Sequence, residues 1–171
     1  MVTTYDFYHK GVFSIKSNVN DLKLKRFATV IFIIYILSVL YVTLLAWNYG
    51  ASLGAAGPGG RNYNLIPFRS IYRISVFSKD IMDPIRILIG NIVLFVPFGL
   101  LLPLASKKLS QSIVKVSLLA MVFSITIEAS QFLFTYRVSN IDDVILNTVG
   151  AWIGAFFLVK VMKKRVSVSI K

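Results

Sequence analysis

Residues 27–47 read FATVIFIIYILSVLYVTLLAW, twenty-one residues without a charge. A bilayer core needs about 20 consecutive apolar residues in a helix, so this run predicts a first transmembrane helix. The polar stretch of residues 1–26 before it is much longer than the short basic start of a cleaved leader, which predicts a retained span. Three further apolar runs follow. Residues 87–105 are apolar apart from Asn91 and contain Pro97 and Pro103. Residues 116–134 carry Glu128 and Gln131 in their second half. Residues 141–162 open with Asp142, Asp143 and Asn147 and end near Lys160. The pattern predicts an all-α integral membrane protein: a bundle of four transmembrane helices over residues 27–162, flanked by cytoplasmic tails at 1–26 and 163–171.

Composition supports a lipid environment. The chain is 56% hydrophobic with a mean hydropathy of +0.73, above the usual range of soluble domains. A net charge of +12 suggests nucleic acid only until its placement is read. With the N-terminus inside, thirteen of the 19 basic residues fall on cytoplasmic segments. The other six (Arg61, Arg69, Arg73, Lys79, Arg86 and Arg137) fall outside. That asymmetry is the positive-inside signature, predicts both termini in the cytoplasm, and leaves attraction to anionic lipid as the role of the basic tails. Nucleic acid is not an expected partner. The orientation has a direct check. Of single cysteines placed at Ser17, Gly59 and Ser167, only the one at Gly59 should react with an impermeant reagent in intact cells; labelling at Ser17 would overturn it.

Cysteine is absent and the one histidine is His9, in the N-terminal tail. Thiolate chemistry and a histidine dyad inside the membrane are thereby excluded, and no cofactor or resident metal is expected. No internal repeat is visible, which argues against an inverted-repeat transporter in one chain.

The longest connection lies between the first two spans. Its first part, GASLGAAGPGGRNYN, is too rich in Gly and Pro for regular structure. Beyond it, Arg69 and Arg73 are four apart among Phe68, Ile71, Tyr72 and Val76, the spacing of a short basic amphipathic helix on the outer surface. Such a helix is a headgroup anchor, or a phosphate clamp for an anionic ligand. On the second span, Asn91, Phe95, Phe98 and Leu102 share a face, Pro97 interrupts the ladder, and Gly99 permits close approach.

The polar chemistry concentrates in IEASQFLFTYRVSNIDDVILNTVGAWIG. Glu128 and Gln131 share a face of the third span. On the fourth, Asp143, Asn147, Gly150 and Gly154 recur at four, three and four, a stripe that predicts direct packing of the third and fourth spans with Arg137 as counter-charge. Ionisable groups inside a membrane mark functional sites by default. The competing reading is a hydrogen-bonded network that fixes helix register.

These blocks, together with Asn64-Leu65-Ile66-Pro67-Phe68 and NIVLFVPFGLLLP, resemble the VanZ-like family of small bacterial membrane proteins, in their order from Asn64 to Gly154. The resemblance implies a multi-pass protein of the bacterial plasma membrane with a role in the cell envelope or in resistance to glycopeptides of the teicoplanin type. Two mechanisms remain open from the residues. In the first, the protein binds an anionic headgroup or lipid-linked wall precursor through Arg69, Arg73, Asn91, Glu128, Gln131, Arg137, Asp142, Asp143 and Asn147. In the second, an intramembrane enzyme acts on a lipid-linked phosphate, with Glu128 as the catalytic candidate and Asp142 and Asp143 holding a divalent cation. Adjacent carboxylates on a helix point about 100° apart and do not chelate automatically, and a helix N-terminus favours acids on its own account. Binding is therefore the preferred expectation. Membrane lipids are expected partners in both.

Overall fold

The computed structural model describes residues 4–46, 63–106, 109, 112–135 and 137–169, of which 4–21 and 162–169 as backbone only. The Gly-rich piece of the first loop falls almost wholly outside these residues. The first helix, α1, runs Thr4–Leu40 and closes in a π-helical turn at Tyr41–Leu45, so helix extends well ahead of the first apolar run. Two short strands, β1 (Tyr63–Asn64) and β2 (Ser139–Asn140), pair in parallel. Between them lie α2 (Arg69–Phe77), the single turn α3 (Met82–Pro84), α4 (Gly90–Ala105) and α5 (Ile113–Phe134). A π-helical turn at Ile85–Ile89 joins α3 to α4. The last helix, α6, runs Ile141–Ser169.

Among the described residues, four helical stretches are long and apolar enough to cross a membrane: Leu22–Leu45, Met82–Ala105, Ile113–Phe134 and Ile141–Val161. The protein is an integral membrane protein of four spans. The second span begins five residues earlier than its apolar run predicts, because Asp83 and Arg86 are accommodated at the helix head, where they lie 4.0 Å apart.

The core is aromatic and small at once. Phe95 and Phe98 of α4 are buried and meet Phe123 of α5 at centroid distances of 6.0 and 5.8 Å, the first pair tilted and the second stacked. Phe32 of α1 closes the cluster edge-on to Phe98. Ala120, Ala151 and Ala155 fill the gaps between them. Pro97 and Pro103 lie inside α4 without ending it, as happens where neighbouring helices re-satisfy freed backbone groups. Next to the Pro97 break, the Tyr35 hydroxyl of α1 donates to the Leu94 carbonyl at 2.7 Å. Large apolar side chains such as Ile34, Leu37, Val122 and Phe157 point outward, as lipid-facing positions must.

The glycine stripe of α6 packs differently from the sequence expectation. A Cβ on Gly150 would collide with the Ile92 carbonyl, and one on Gly154 with the Val96 carbonyl while pressing tightly on the Gly99 backbone. Gly99 in turn lies against the Ala151 backbone. The stripe therefore seats the fourth span on the second, not on the third. Spacing along α6 identifies a close-packing face but cannot say which helix occupies it.

Candidate functional site

The polar residues gather at one end of the bundle, where α1 and α5 finish, α4 and α6 begin, and β1 pairs with β2. The pairing sets Tyr63 beside Ser139 and Asn64 beside Asn140. Asn140 precedes the first residue of α6, and its Oδ1 accepts from the Asp142 backbone amide at 3.2 Å, an N-cap bond. The same oxygen accepts from Asn64 Nδ2 at 3.0 Å and from the Ser70 hydroxyl at 3.2 Å. On its other side, Asn140 Nδ2 donates to Asp143 Oδ1 at 3.2 Å, and its backbone amide donates to Glu128 Oε2 at 2.6 Å. One asparagine thus ties the first loop, the third span and the fourth span together.

The two adjacent acids diverge, as the helix rotation requires. Asp142 is almost completely buried, yet its charge is fully answered. Its Oδ1 accepts from the Phe68 amide, and its Oδ2 accepts from Ser70 and Ile71 at 2.7 and 3.2 Å. These are the leading amides of α2, so Asp142 caps a helix 70 residues away in sequence and also sits in the first turn of its own. Both N-termini favour a negative charge there. Phe68 adopts a left-handed conformation at φ 66, uncommon for a bulky residue, and the turn it makes leads the chain into α2 from that carboxylate. Asp143 instead points into the bundle, facing Asn140 and Asn91 of α4. With both Asp142 oxygens engaged, the pair does not present a joint chelating face.

The remaining candidates divide between two further roles. Gln131 Nε2 donates to the Thr43 carbonyl at 3.0 Å. Arg137 Nη1 donates to the Val42 and Thr43 carbonyls at 2.9 and 2.8 Å. Both bind carbonyls in the closing π-helical turn of the first span. Burial pulls the Arg137 guanidinium below its ordinary value, while the charges of Glu128 and Asp143 push it back up. It is their counter-charge at a distance, with its hydrogen bonds spent elsewhere. Asn147, deeper in α6, donates to Ser124 of α5 at 2.9 Å, and its buried Oδ1 has no partner among the described residues. Apart from Arg69 and Arg73, the candidates thus divide into an Asn140-centred cluster (Glu128, Asp142, Asp143 and Asn91), a cap on the first span (Gln131 and Arg137), and an interhelix bond (Asn147).

Arg69 and Arg73 lie on α2, outside that cluster, and are exposed. Arg73 borders a cavity of about 390 Å³ between α2 and the head of the second span, with Ser70, Ser78 and Asp83. A larger cavity, about 570 Å³, opens between α5 and α6; Glu128, Ser139 and Asn140 form its polar end against apolar walls. Ser70, Ser139 and Asn140 are site residues that sequence reasoning did not single out, and Asn64 stood there only in a family block, not in the site. Asn140 carries a readable signal, an amide directly before an apolar run with two acids in its first turn. Asn64 finds its partner 76 positions away, and nothing local announces that.

A model of the VanZ/LLP1 family matches residues 32–163, which include the whole constellation. Among curated proteins, the chain is 30% identical over 121 residues to "Protein VanZ" of Enterococcus faecium. That match covers 71% of this chain and 66% of the relative, slightly under two thirds of its length. No solved structure matches the chain significantly.

Proposed function

This chain belongs to the VanZ/LLP1 family, and on that premise we propose that it acts at the bacterial plasma membrane in tolerance of teicoplanin-type glycopeptides. It does so by binding an anionic lipid-linked or headgroup ligand at the outer face. The observation that carries this reading is the fixed seat of α2. Three backbone bonds to a buried Asp142 hold that helix on the bundle, with Arg69 and Arg73 exposed along it. An arginine pair on a fixed helix suits a phosphate or carboxylate, because the backbone that carries it is already ordered and only the two side chains remain to be fixed on binding. The network behind it gives the acids of the spans a positional task that an anchor helix alone would not need.

The test is a pair of measurements on each variant, membrane abundance and glycopeptide tolerance. Changing Arg69 and Arg73 together to Gln should remove tolerance at unchanged abundance, since both are exposed and contribute little to the fold. Glu128→Gln and Asp143→Asn keep shape and remove charge, and the same outcome is expected. Full tolerance at normal abundance in the arginine pair would sink the anion reading. Stabilised protein with normal tolerance in the two acid variants would reduce the cluster to structural glue, since removing a buried charge often helps stability.

A further inference from the structure

The cavity between α5 and α6 has a chemistry of its own, independent of the arginine helix. Its walls are Leu65, Ile125, Ala129, Phe132, Ile141 and Val144, and its mouth faces outward, where Leu65 is 68% and Ile125 47% exposed. In a four-span membrane protein that direction is lipid. The volume of about 570 Å³ falls within the range of small-molecule pockets. At the polar end stands Glu128, only 7% exposed. It lies six residues before the end of α5, which places it about 9 Å inside that end.

The charges around this carboxylate do not balance locally. Asp142 behind it is answered by the amides of α2. Among the described residues, Glu128 and Asp143 then share one nearby cation, Arg137, whose hydrogen bonds go to the Val42 and Thr43 carbonyls instead. An anionic headgroup entering the cavity would be set against two acidic side chains. A bare hydrocarbon would fill the walls but strip Glu128 of water without replacing it. An ammonium donor does both jobs: it sets a positive charge opposite the two acids and makes a charge-assisted hydrogen bond to Glu128, the stronger kind.

We propose that this cavity binds a single aliphatic chain ending in an ammonium group, the chain along Ile125, Ala129 and Phe132 and the nitrogen at Glu128. The shared chemistry could be supplied by an amine-bearing membrane lipid or by an exogenous amphiphile. The test uses purified full-length protein in phosphatidylcholine nanodiscs, with hexadecylamine, hexadecanol and palmitate compared by native mass spectrometry. Hexadecylamine should be retained about tenfold better than hexadecanol, with palmitate weakest. Glu128→Gln should erase the preference for the amine while still admitting the alcohol. Ala129→Phe, at an exposed wall position, should block all three. Equal retention of the three probes, an amine preference that survives Glu128→Gln, or unchanged binding in Ala129→Phe would each overturn the site. Changing Arg69 and Arg73 should leave amine retention intact, so failure here is separable from failure of the anion reading. If the site holds, co-purified amino lipid released on mild delipidation points to a resident lipid as the source. Retention of added amine by protein that carries none points to an exogenous amphiphile.

Discussion

Replacing Gly150 with leucine should remove most of the folded protein from the membrane. At Gly150 a Cβ meets the carbonyl of Ile92, and at Gly154 the carbonyl of Val96. Both obstacles are backbone, which has no rotamer to swing away. Ordinary overpacking of a core costs about 1–3 kcal/mol; a clash between two helix backbones exceeds that, because α4 and α6 must separate along their length. Their separation would also open the Phe95–Phe98 face of α4, where the aromatic cluster sits. Gly90 supplies the internal control. A Cβ there meets nothing within 4 Å, so Gly90→Leu should fold normally. Detergent-solubilised protein scored by size-exclusion chromatography separates the cases: an aggregate or absent peak for Gly150→Leu and Gly154→Leu, a normal one for Gly90→Leu. Because the obstacle is a carbonyl, trimming the partner side chain with Ile92→Ala should give no rescue. A normal peak for Gly150→Leu would mean that the stripe faces lipid.

The spans were legible because lipid imposes one simple rule, some 20 apolar residues per helix. The first residue of the fourth span, Ile141, is where its acids place it. The misjudged boundaries lie where charges sit on helical backbone, at Asp83 and Arg86, since hydropathy ends at a charge and a helix need not. The site was legible in its membership more than in its connections. Glu128 and Gln131 are about 60° apart around α5, close enough to share a face on paper. That angle suffices to send one to Asn140 and the other to the end of the first span. The divergence of Asp142 and Asp143 follows from the same arithmetic at about 100°. What no local pattern contains is the partner across the bundle: the Asn64–Asn140 pair, the seat of α2 on Asp142, and the second span beneath the glycine stripe all join residues more than 40 positions apart. Long-range contacts are settled by the fold as a whole.

The seat of α2 sets the second large expectation. Asp142→Asn should release α2 while the four spans stay inserted. An asparagine has the size of the aspartate but only one oxygen. At the second position its amide group would point donors at the amide of Phe68 or at those of Ser70 and Ile71, so attraction turns into repulsion on one side. Hydrogen bonds to a charged acceptor contribute about 1.5–3 kcal/mol each, and the substitution weakens all three while reversing at least one. A loss near 3 kcal/mol corresponds to about a hundredfold faster opening of the local structure. Amide hydrogen exchange reads this directly: Ser70 and Ile71 should lose about a hundredfold in protection in nanodiscs. Amides in the middle of α4 and α6 should stay protected, because the glycine contacts that hold them lie elsewhere. The left-handed Phe68 sharpens the expectation, since a strained residue persists only where its surroundings hold it and relaxes once the carboxylate is gone. Asp143→Asn serves as the contrast. It removes a charge one residue along, on the side facing Asn140 and Asn91, and should leave the protection of Ser70 and Ile71 unchanged. Equal protection in wild type and Asp142→Asn would show that α2 is held by its apolar face instead, and the arginines it carries would then owe nothing to the buried acid.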